Sequence, residues 1–385
     1  MSHTKLLAAV ASFLALVFVQ SRPAAAFFGC LCGPPPTLAQ QIERAEIVGL
    51  GRLVARNIPQ PQEVWTDSTF DVYAVLKGAV HANQLRDADG KLTWTGPTLS
   101  EHTVGSNHLM LGYVNEQGVS SWGQEVLLSD AAAAYVGWLP LLEADGPERL
   151  QFFYSHWSER DETVAEDCRR ELERAPYGDL KQLRRFLRRD EIVAVVRDTT
   201  QDAAHRCSAL LLLSVCGNSD DVPLLEELID DKSTAGRQLL ESALDAYLAI
   251  QGDAGMSFVE QSLLWNENVS AEALYDAFGA LRFNRLYRHT VTHDRLKSAL
   301  RSVIARPDIA MHAIYELAEM QDWSAIDDMP TVFRDDDDLS TRLAVVEYLQ
   351  SCPQPEAKLC LEEVAEIDPE AVYQAGYPDT TNPFR

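Results

Sequence analysis

A chain of 385 residues exceeds what one ordinary hydrophobic core organises, so two structural units are expected. Hydrophobic residues make up 46% and charged residues 24%, an ordinary globular balance, but 33 Lys and Arg face 58 Asp and Glu. The formal net charge of −25 argues against general binding of nucleic acid or of an anionic bilayer, since both demand a surplus of cations.

The chain opens with a targeting pattern. Lys5 supplies a positive start, Leu6 to Val19 an apolar run, and Ala24-Ala25-Ala26 a small-residue cleavage site, so residues 1–26 read as a secretory signal peptide. Gln20, Ser21, Arg22 and Pro23 end the run short of the ~20 residues of a membrane span, and no span is expected after cleavage. Removal of Lys5 and Arg22 leaves 31 basic and 58 acidic residues, a net of −27. The expected location is extracytoplasmic: periplasm, cell surface or medium. Lipid attachment at Cys30 fits less well, because the usual aliphatic residue three places earlier is missing and Arg22-Pro23 intervene.

Residues 27–128 read as a β domain. Phe27 to Pro36 is a stiff, proline-ended segment, and a short helix follows from Leu38 to Ala45 with Ile42 inward. The period then changes to two. Ile47, Gly49, Gly51, Leu53 and Ala55 alternate with Val48, Leu50, Arg52, Val54 and Arg56 in a strand buried on both faces near its centre. Further strands are predicted at Thr69 to Leu76, Leu92 to Thr95, His108 to Asn115 and Glu125 to Leu128, separated by turns at Gly90, Gly96-Pro97, Gly105, Gly118 and Gly123. Five short strands in so short a stretch predict a small barrel or sandwich.

Cys30-x-Cys32, the short helix, Glu46-Ile47-Val48-Gly49, Val75-Leu76-Lys77-Gly78, and Gly105 ahead of Leu109-Met110-Leu111-Gly112-Tyr113 together resemble the netrin-type or metalloproteinase-inhibitor-like module. The resemblance runs from Cys30 to Leu128 and implies an OB-fold barrel whose leading Cys-x-Cys is pinned by disulfides. No cysteine occurs between Gly33 and Asp167, so the family's barrel partners are absent unless Cys168 reaches back; the pairing of Cys30, Cys32 and Cys168 stays open. Inhibitors of that family chelate a protease zinc through an N-terminal Cys amine. Cleavage after Ala26 would leave three residues ahead of Cys30.

Ser129-Asp130 caps a helix from Ala131 to Glu143, and strand signals then stop. Helices are predicted at 148–157, 159–174, 180–187, 191–196 and 202–216, then two more before Gly252, and then at 255–264, 271–286, 293–304, 309–320, 324–333, 340–350 and 355–365. In the 202–216 helix, Cys207, Leu210, Leu211 and Val215 share a face that Leu212 and Leu213 widen nearly to full burial. Val222, Leu225, Leu228 and Ile229 repeat the spacing, as do Leu239, Leu240, Ala243, Leu244, Tyr247 and Leu248. Caps at Ser219, Thr234, Ser270, Thr292 and Asp338 and short turns imply antiparallel neighbours. No unit repeats residue for residue. This irregular stack resembles the HEAT-like class of α-solenoid. Arg149-Leu150-Gln151-Phe152-Phe153, Tyr177-Gly178-Asp179-Leu180, Asp322-Trp323-Ser324-Ala325 and Cys352-Pro353-Gln354-Pro355 resemble exported bacterial proteins that join an inhibitor-like barrel to helical repeats. That resemblance implies an architecture and no activity. The expected fold class is α+β multidomain: a five-stranded OB-like β-barrel at 27–128, a HEAT-like helical domain at 129–370, and a loosely ordered tail at 371–385.

No catalytic constellation emerges. Gly118 to Gly123 misses the spacing of a nucleophile elbow and reads as a hairpin turn, and no His-Glu-x-x-His occurs. His289 and His293 have i, i+4 spacing, but Thr290 and Thr292 beside them read as turn and cap. His102, His108, His156, His205 and His312 read as isolated surface or hydrogen-bonded residues. Asp335 to Asp338 lacks the central Gly and terminal Glu of a calcium loop and reads as a capping turn. Gly49-Leu50-Gly51 lies within a strand and is no nucleotide loop. No metal, cofactor or catalytic residue is expected. Cys207 and Cys216, nine apart on one helix, are about 13 Å apart along its axis, too far to bridge. Cys352 and Cys360 flank Pro353 and Pro355 between two helices, where a disulfide is feasible. Against the acidic background one basic cluster stands out, Lys181, Arg184, Arg185, Arg188 and Arg189, either a docking face for an anionic partner or a set of ion pairs with acidic helices. The expected function is that of an exported, non-enzymatic binding or scaffold protein, recognising a protein or glycan through its helical surface. The second reading is a regulator or inhibitor of an extracytoplasmic protease acting through the barrel.

Overall fold

Five antiparallel strands, β1 (Ile47–Arg56), β2 (Trp65–Lys77), β3 (Thr93–Leu99), β4 (Asn107–Val114) and β5 (Ser120–Leu128), lie in the order β3-β2-β1-β4-β5. The structure is a computed structural model and describes residues 36–57, 65–99 and 102–376. The expected signal peptide, Cys30 and Cys32, and residues 377–385 lie outside the described residues. The five strands stand where alternation placed them, and three run longer than expected. β3 continues through Gly96-Pro97 because it pairs only with β2, so an edge position absorbs the missing proline N–H. β5 begins at Ser120, directly after the Gly118 turn, whose φ of 75° only glycine adopts at no cost.

The sheet curls on itself. In a flat five-stranded sheet the edge strands would lie about 19 Å apart at the usual ~4.8 Å spacing. Instead the Thr98 hydroxyl of β3 donates to Glu125 Oε1 of β5 at 2.6 Å, so side chains bridge the two edges and the barrel is nearly closed. Ile47, Leu53, Phe70, Val72 and Met110 fill its interior, flanked by Trp94 and Trp122. Gly49 makes room for them: a Cβ there would lie 2.8 Å from Val72 Cγ1 and 3.3 Å from the Trp122 ring. The opposite faces of β1 and β4, carrying Val48, Leu50, Leu109 and Leu111, join the helical core.

The helix Leu38–Arg44 fastens the two regions together. Thr37 and Gln40 form a capping box at its start, and the Leu38 N–H donates to Asp167 Oδ1 at 2.5 Å. The Tyr135 hydroxyl donates to the other oxygen of Asp167 at 2.8 Å, and Cys168 Sγ lies 3.5 Å from the Tyr135 oxygen. Burial pushes the Asp167 carboxyl up to about 6, even though hydrogen bonds from Leu38 N–H and Tyr135 oppose the rise. Arg149 reaches Glu43 at 3.0 Å and Glu171 at 3.2 Å across the same junction.

Among the described residues beyond Ser129 all regular structure is helical. Ala203–Cys216 packs on Arg189–Arg197 and on Leu240–Gln251, which in turn packs on Val222–Asp230 and Ala271–Phe283. Leu210, Leu225 and Leu244 are fully buried in one continuous cluster, because each helix hides its apolar stripe against its neighbours. Buried ion pairs join successive layers. Arg288 grips Asp245 and donates to Ser214 Oγ at 2.6 Å, and Arg295 spans both oxygens of Glu260 at 2.6 Å.

Several elements differ from expectation. The helix predicted at 180–187 spans Tyr177–Gln182 and tightens into a 3-10 turn at Leu183–Arg185. The one predicted at 271–286 ends as α-helix at Phe283 and closes with a π turn, leaving His289 left-handed at φ 57°. The stretch from 371, expected to be loose, begins within a helix, Pro369–Gly376, whose Ala371 is buried. Among the described residues no helix is long and apolar enough to cross a membrane.

Candidate functional site

The barrel interior holds one polar cluster among its apolar side chains. His108, on β4, shares the inward face with Met110, and Phe70 packs edge-on against its ring at 4.8 Å. Its Nδ1 lies 2.5 Å from Glu125 Oε2, and its Nε2 lies 2.8 Å from Ser106 Oγ. The Ser106 hydroxyl donates to the Thr103 carbonyl at 2.7 Å. His102, in the connection between β3 and β4, brings Nδ1 to 2.9 Å from Thr98 Oγ1 and 3.7 Å from Glu125 Oε1. Arg56 steadies that connection by donating to the His102 carbonyl at 2.6 Å. The three side chains are at most 8% exposed. Burial works to raise the Glu125 carboxyl, but hydrogen bonds from His108 and Thr98 and the two nearby imidazoles outweigh it and hold the group below the usual carboxylate range.

His102 and His108 are therefore not isolated, as the sequence suggested. Inward parity of His108, Met110 and Gly112 was readable from the alternation. The position of Glu125 was not. Between Leu111 and Gly112 the β4–β5 ladder carries a bulge at Gly123, so Trp122 and Glu125 both face inward although three residues apart.

The basic cluster is partly neutralised. Arg189 makes two hydrogen bonds to the buried Asp221, at 2.6 and 2.9 Å, and Arg188 pairs with Glu191 at 2.9 Å. Lys181, Arg184 and Arg185 are exposed; Lys181 sits over the Tyr177 ring and Arg185 over Phe186. Ion pairing with a buried partner thus claims Arg189, Arg188 is paired at the surface, and Lys181, Arg184 and Arg185 face solvent.

Cys352 and Cys360, between which a bridge was feasible, carry free thiols. Each sulfur has a different partner: the Gln354 N–H donates to Cys352 Sγ at 3.5 Å, and Cys360 Sγ lies 3.7 Å from the Ile326 carbonyl oxygen. Cys168 is also free and buried, its thiol pushed up to about 12 by burial. His289 is the left-handed residue that ends one helical element and His293 opens the next, with Thr292 capping it, as the turn-and-cap reading had it. Asp338 likewise caps the helix Leu339–Ser351.

A feature with no sequence signal is an open cleft of about 520 Å³ in the helical region, lined by Leu264, Trp265, Ser302, Val303, Arg306 and Pro307. Trp265 is 52% exposed, and its indole N–H donates to Ser302 Oγ at 2.9 Å. Arg306 builds the opposite wall by donating to the carbonyls of Leu263 and Leu264 at 3.3 and 2.8 Å. The cleft is assembled from a π turn at Glu260–Leu264 and the turn after the helix His293–Arg301, so it depends on contacts that no local pattern announces.

No protein-family model matches the chain, and no curated protein sequence matches it. Among solved structures it is similar to human deoxyhypusine hydroxylase in complex with glycerol, with a TM-score of 0.25 and 16% identity, over 64% of this chain and 88% of that one. At that score the likeness carries no inference about activity.

Proposed function

We propose that the chain is an exported, non-enzymatic binding protein, an OB-like barrel carried on a HEAT-like helical array, which recognises a protein or glycan partner through the helical surface. The signal-peptide pattern of residues 1–26 supports export. The OB-like assignment draws on the strand order, with β1 central and β3 meeting β5 at the seam. Nearest-neighbour packing of successive helices supports the repeat reading.

The observation that carries the proposal is the cleft beside Trp265. A half-exposed indole whose N–H is already satisfied by Ser302 offers a large apolar face with little freedom left to lose on binding. Arg306, Glu267 and Asp308 supply polar groups at the walls, the combination that fits a sugar ring or a peptide side chain. The exposed Lys181, Arg184 and Arg185 form a second, purely electrostatic surface.

The test is capture of extracytoplasmic proteins and glycans on the immobilised chain, with Trp265→Ala and a Lys181→Glu/Arg184→Glu/Arg185→Glu variant alongside. Loss of the anchoring ring should weaken capture about tenfold or more. Charge reversal should alter mainly the salt dependence. Undiminished capture by Trp265→Ala would refute the cleft as the binding site.

A further inference from the structure

We propose that His102, His108 and Glu125 bind a divalent transition-metal ion of the zinc type, and that this ion staples the seam of the barrel. The inference begins with counting protons. The Ser106 hydroxyl gives its only hydrogen to the Thr103 carbonyl at 2.7 Å, so it can meet His108 Nε2, 2.8 Å away, only as an acceptor. Nε2 then carries the N–H. In a neutral ring this leaves Nδ1 as a bare lone pair, and that lone pair faces Glu125 Oε2 at 2.5 Å. Two acceptors at that distance require a cation between them, either a proton or a metal ion. An imidazole oriented by a hydrogen bond from its other nitrogen is the usual arrangement of a metal ligand.

The three side chains are close enough to share one ion after a small adjustment. Zinc bonds of about 2.0–2.2 Å to nitrogen and oxygen in a tetrahedron place neighbouring ligand atoms about 3.3 Å apart. The separations here are 2.5 Å from His108 Nδ1 to Glu125 Oε2, a hydrogen-bond spacing, and 3.7 Å from His102 Nδ1 to Glu125 Oε1, so loading requires the carboxylate to shift by less than about 1 Å. One ligand atom from each of the three residues lies within 4.8 Å of the others. Thr98 Oγ1, which donates to Glu125 Oε1 at 2.6 Å and so accepts from His102 Nδ1 at 2.9 Å, gives up that second contact when the ion displaces the proton on the His102 nitrogen. Two imidazoles and a carboxylate favour zinc over the hard cations, which prefer all-oxygen sites.

Position gives the ion its role. β3 and β5 are the edges of the sheet, joined by no ladder of backbone hydrogen bonds among the described residues, and Thr98 and Glu125 face each other there. The sequence has no cysteine from Gly33 to Asp167, so no disulfide within the barrel can tie that seam. A metal held by β4, β5 and the β3–β4 connection would.

The experiment uses the exported chain, stripped with a chelator and titrated with zinc chloride at pH 7.5 by calorimetry, with bound zinc counted by mass spectrometry. The wild type should take up one equivalent, and its thermal midpoint should rise by several degrees. Glu125→Gln, which keeps the shape of the side chain, and His108→Ala should each lose stoichiometric uptake, while His289→Ala/His293→Ala should keep it. X-ray absorption at the zinc edge of the loaded wild type needs no variant and should show nitrogen and oxygen ligands, including imidazole. Absence of zinc uptake by folded wild type, meaning that a proton alone bridges His108 and Glu125, would overturn the proposal. So would sulfur ligation, or uptake unchanged in both site variants.

Discussion

Asp167 offers the most quantitative test of how the helix Leu38–Arg44 is held. Its carboxyl is 5% exposed and accepts from Leu38 N–H and the Tyr135 hydroxyl, yet burial lifts it from 3.8 to about 6. A carboxyl raised on folding contributes stability that is complete below its unfolded value and is lost as pH rises through the folded value. The displacement is about two pH units, and at about 1.4 kcal/mol for each the group withdraws about 3 kcal/mol in all, about 2.4 kcal/mol of it between pH 4 and pH 7. Asp167→Asn removes the titration and keeps the shape: its carbonyl can accept from Leu38 N–H, and its amide can donate to the Tyr135 oxygen. Urea denaturation of both proteins at steps from pH 4 to pH 7.5 gives the difference directly, because every other titrating group cancels. The variant should gain about 2.4 kcal/mol relative to wild type over that range, most of it between pH 4.5 and 6.5. A difference that is flat with pH, or one in which the variant loses ground as pH rises, would refute the assignment of a strained buried carboxylate at this junction.

Three further outcomes follow from packing and pairing. Gly49→Ala places a methyl 2.8 Å from Val72 Cγ1 and 3.0 Å from the Ala74 carbonyl, so it should cost about 1–3 kcal/mol and alter the near-ultraviolet circular dichroism of the barrel tryptophans. Arg189→Ala strips the partner from the buried Asp221 and should cost about 3 kcal/mol in denaturant unfolding, whereas Arg184→Ala should change stability by less than about 0.5 kcal/mol. Cys352→Ser/Cys360→Ser should unfold within about 0.5 kcal/mol of wild type under oxidising conditions; a loss of about 2–4 kcal/mol would reveal a bridge instead.

Local pattern carried most of the architecture. Alternation from Ile47 to Arg56 located β1, and the spacing of Leu210, Leu225 and Leu244 located helices that do share one core. What escaped has physical causes. Gly96-Pro97 punctuates most chains, but an edge strand tolerates both, so β3 was read too short. The His102–His108–Glu125 cluster needs the sheet to close and the Gly123 bulge to shift the parity of β5, and neither is local. The choice between docking face and ion pairs stayed open for Arg189 because Asp221 is more than thirty positions away in sequence and is brought beside it only by helix packing. The Trp265 cleft arises where a π turn departs from the 3.6-residue period, at a place where the period alone predicts a plain helix end.

The most direct test of the proposed partner recognition on the helical surface is the hydrogen-exchange footprint of residues 27–385 with a captured partner bound. Protection concentrated at residues 260–267 and 302–308 is predicted. Protection confined to the barrel strands, with those two segments exchanging as in the free chain, would contradict the account.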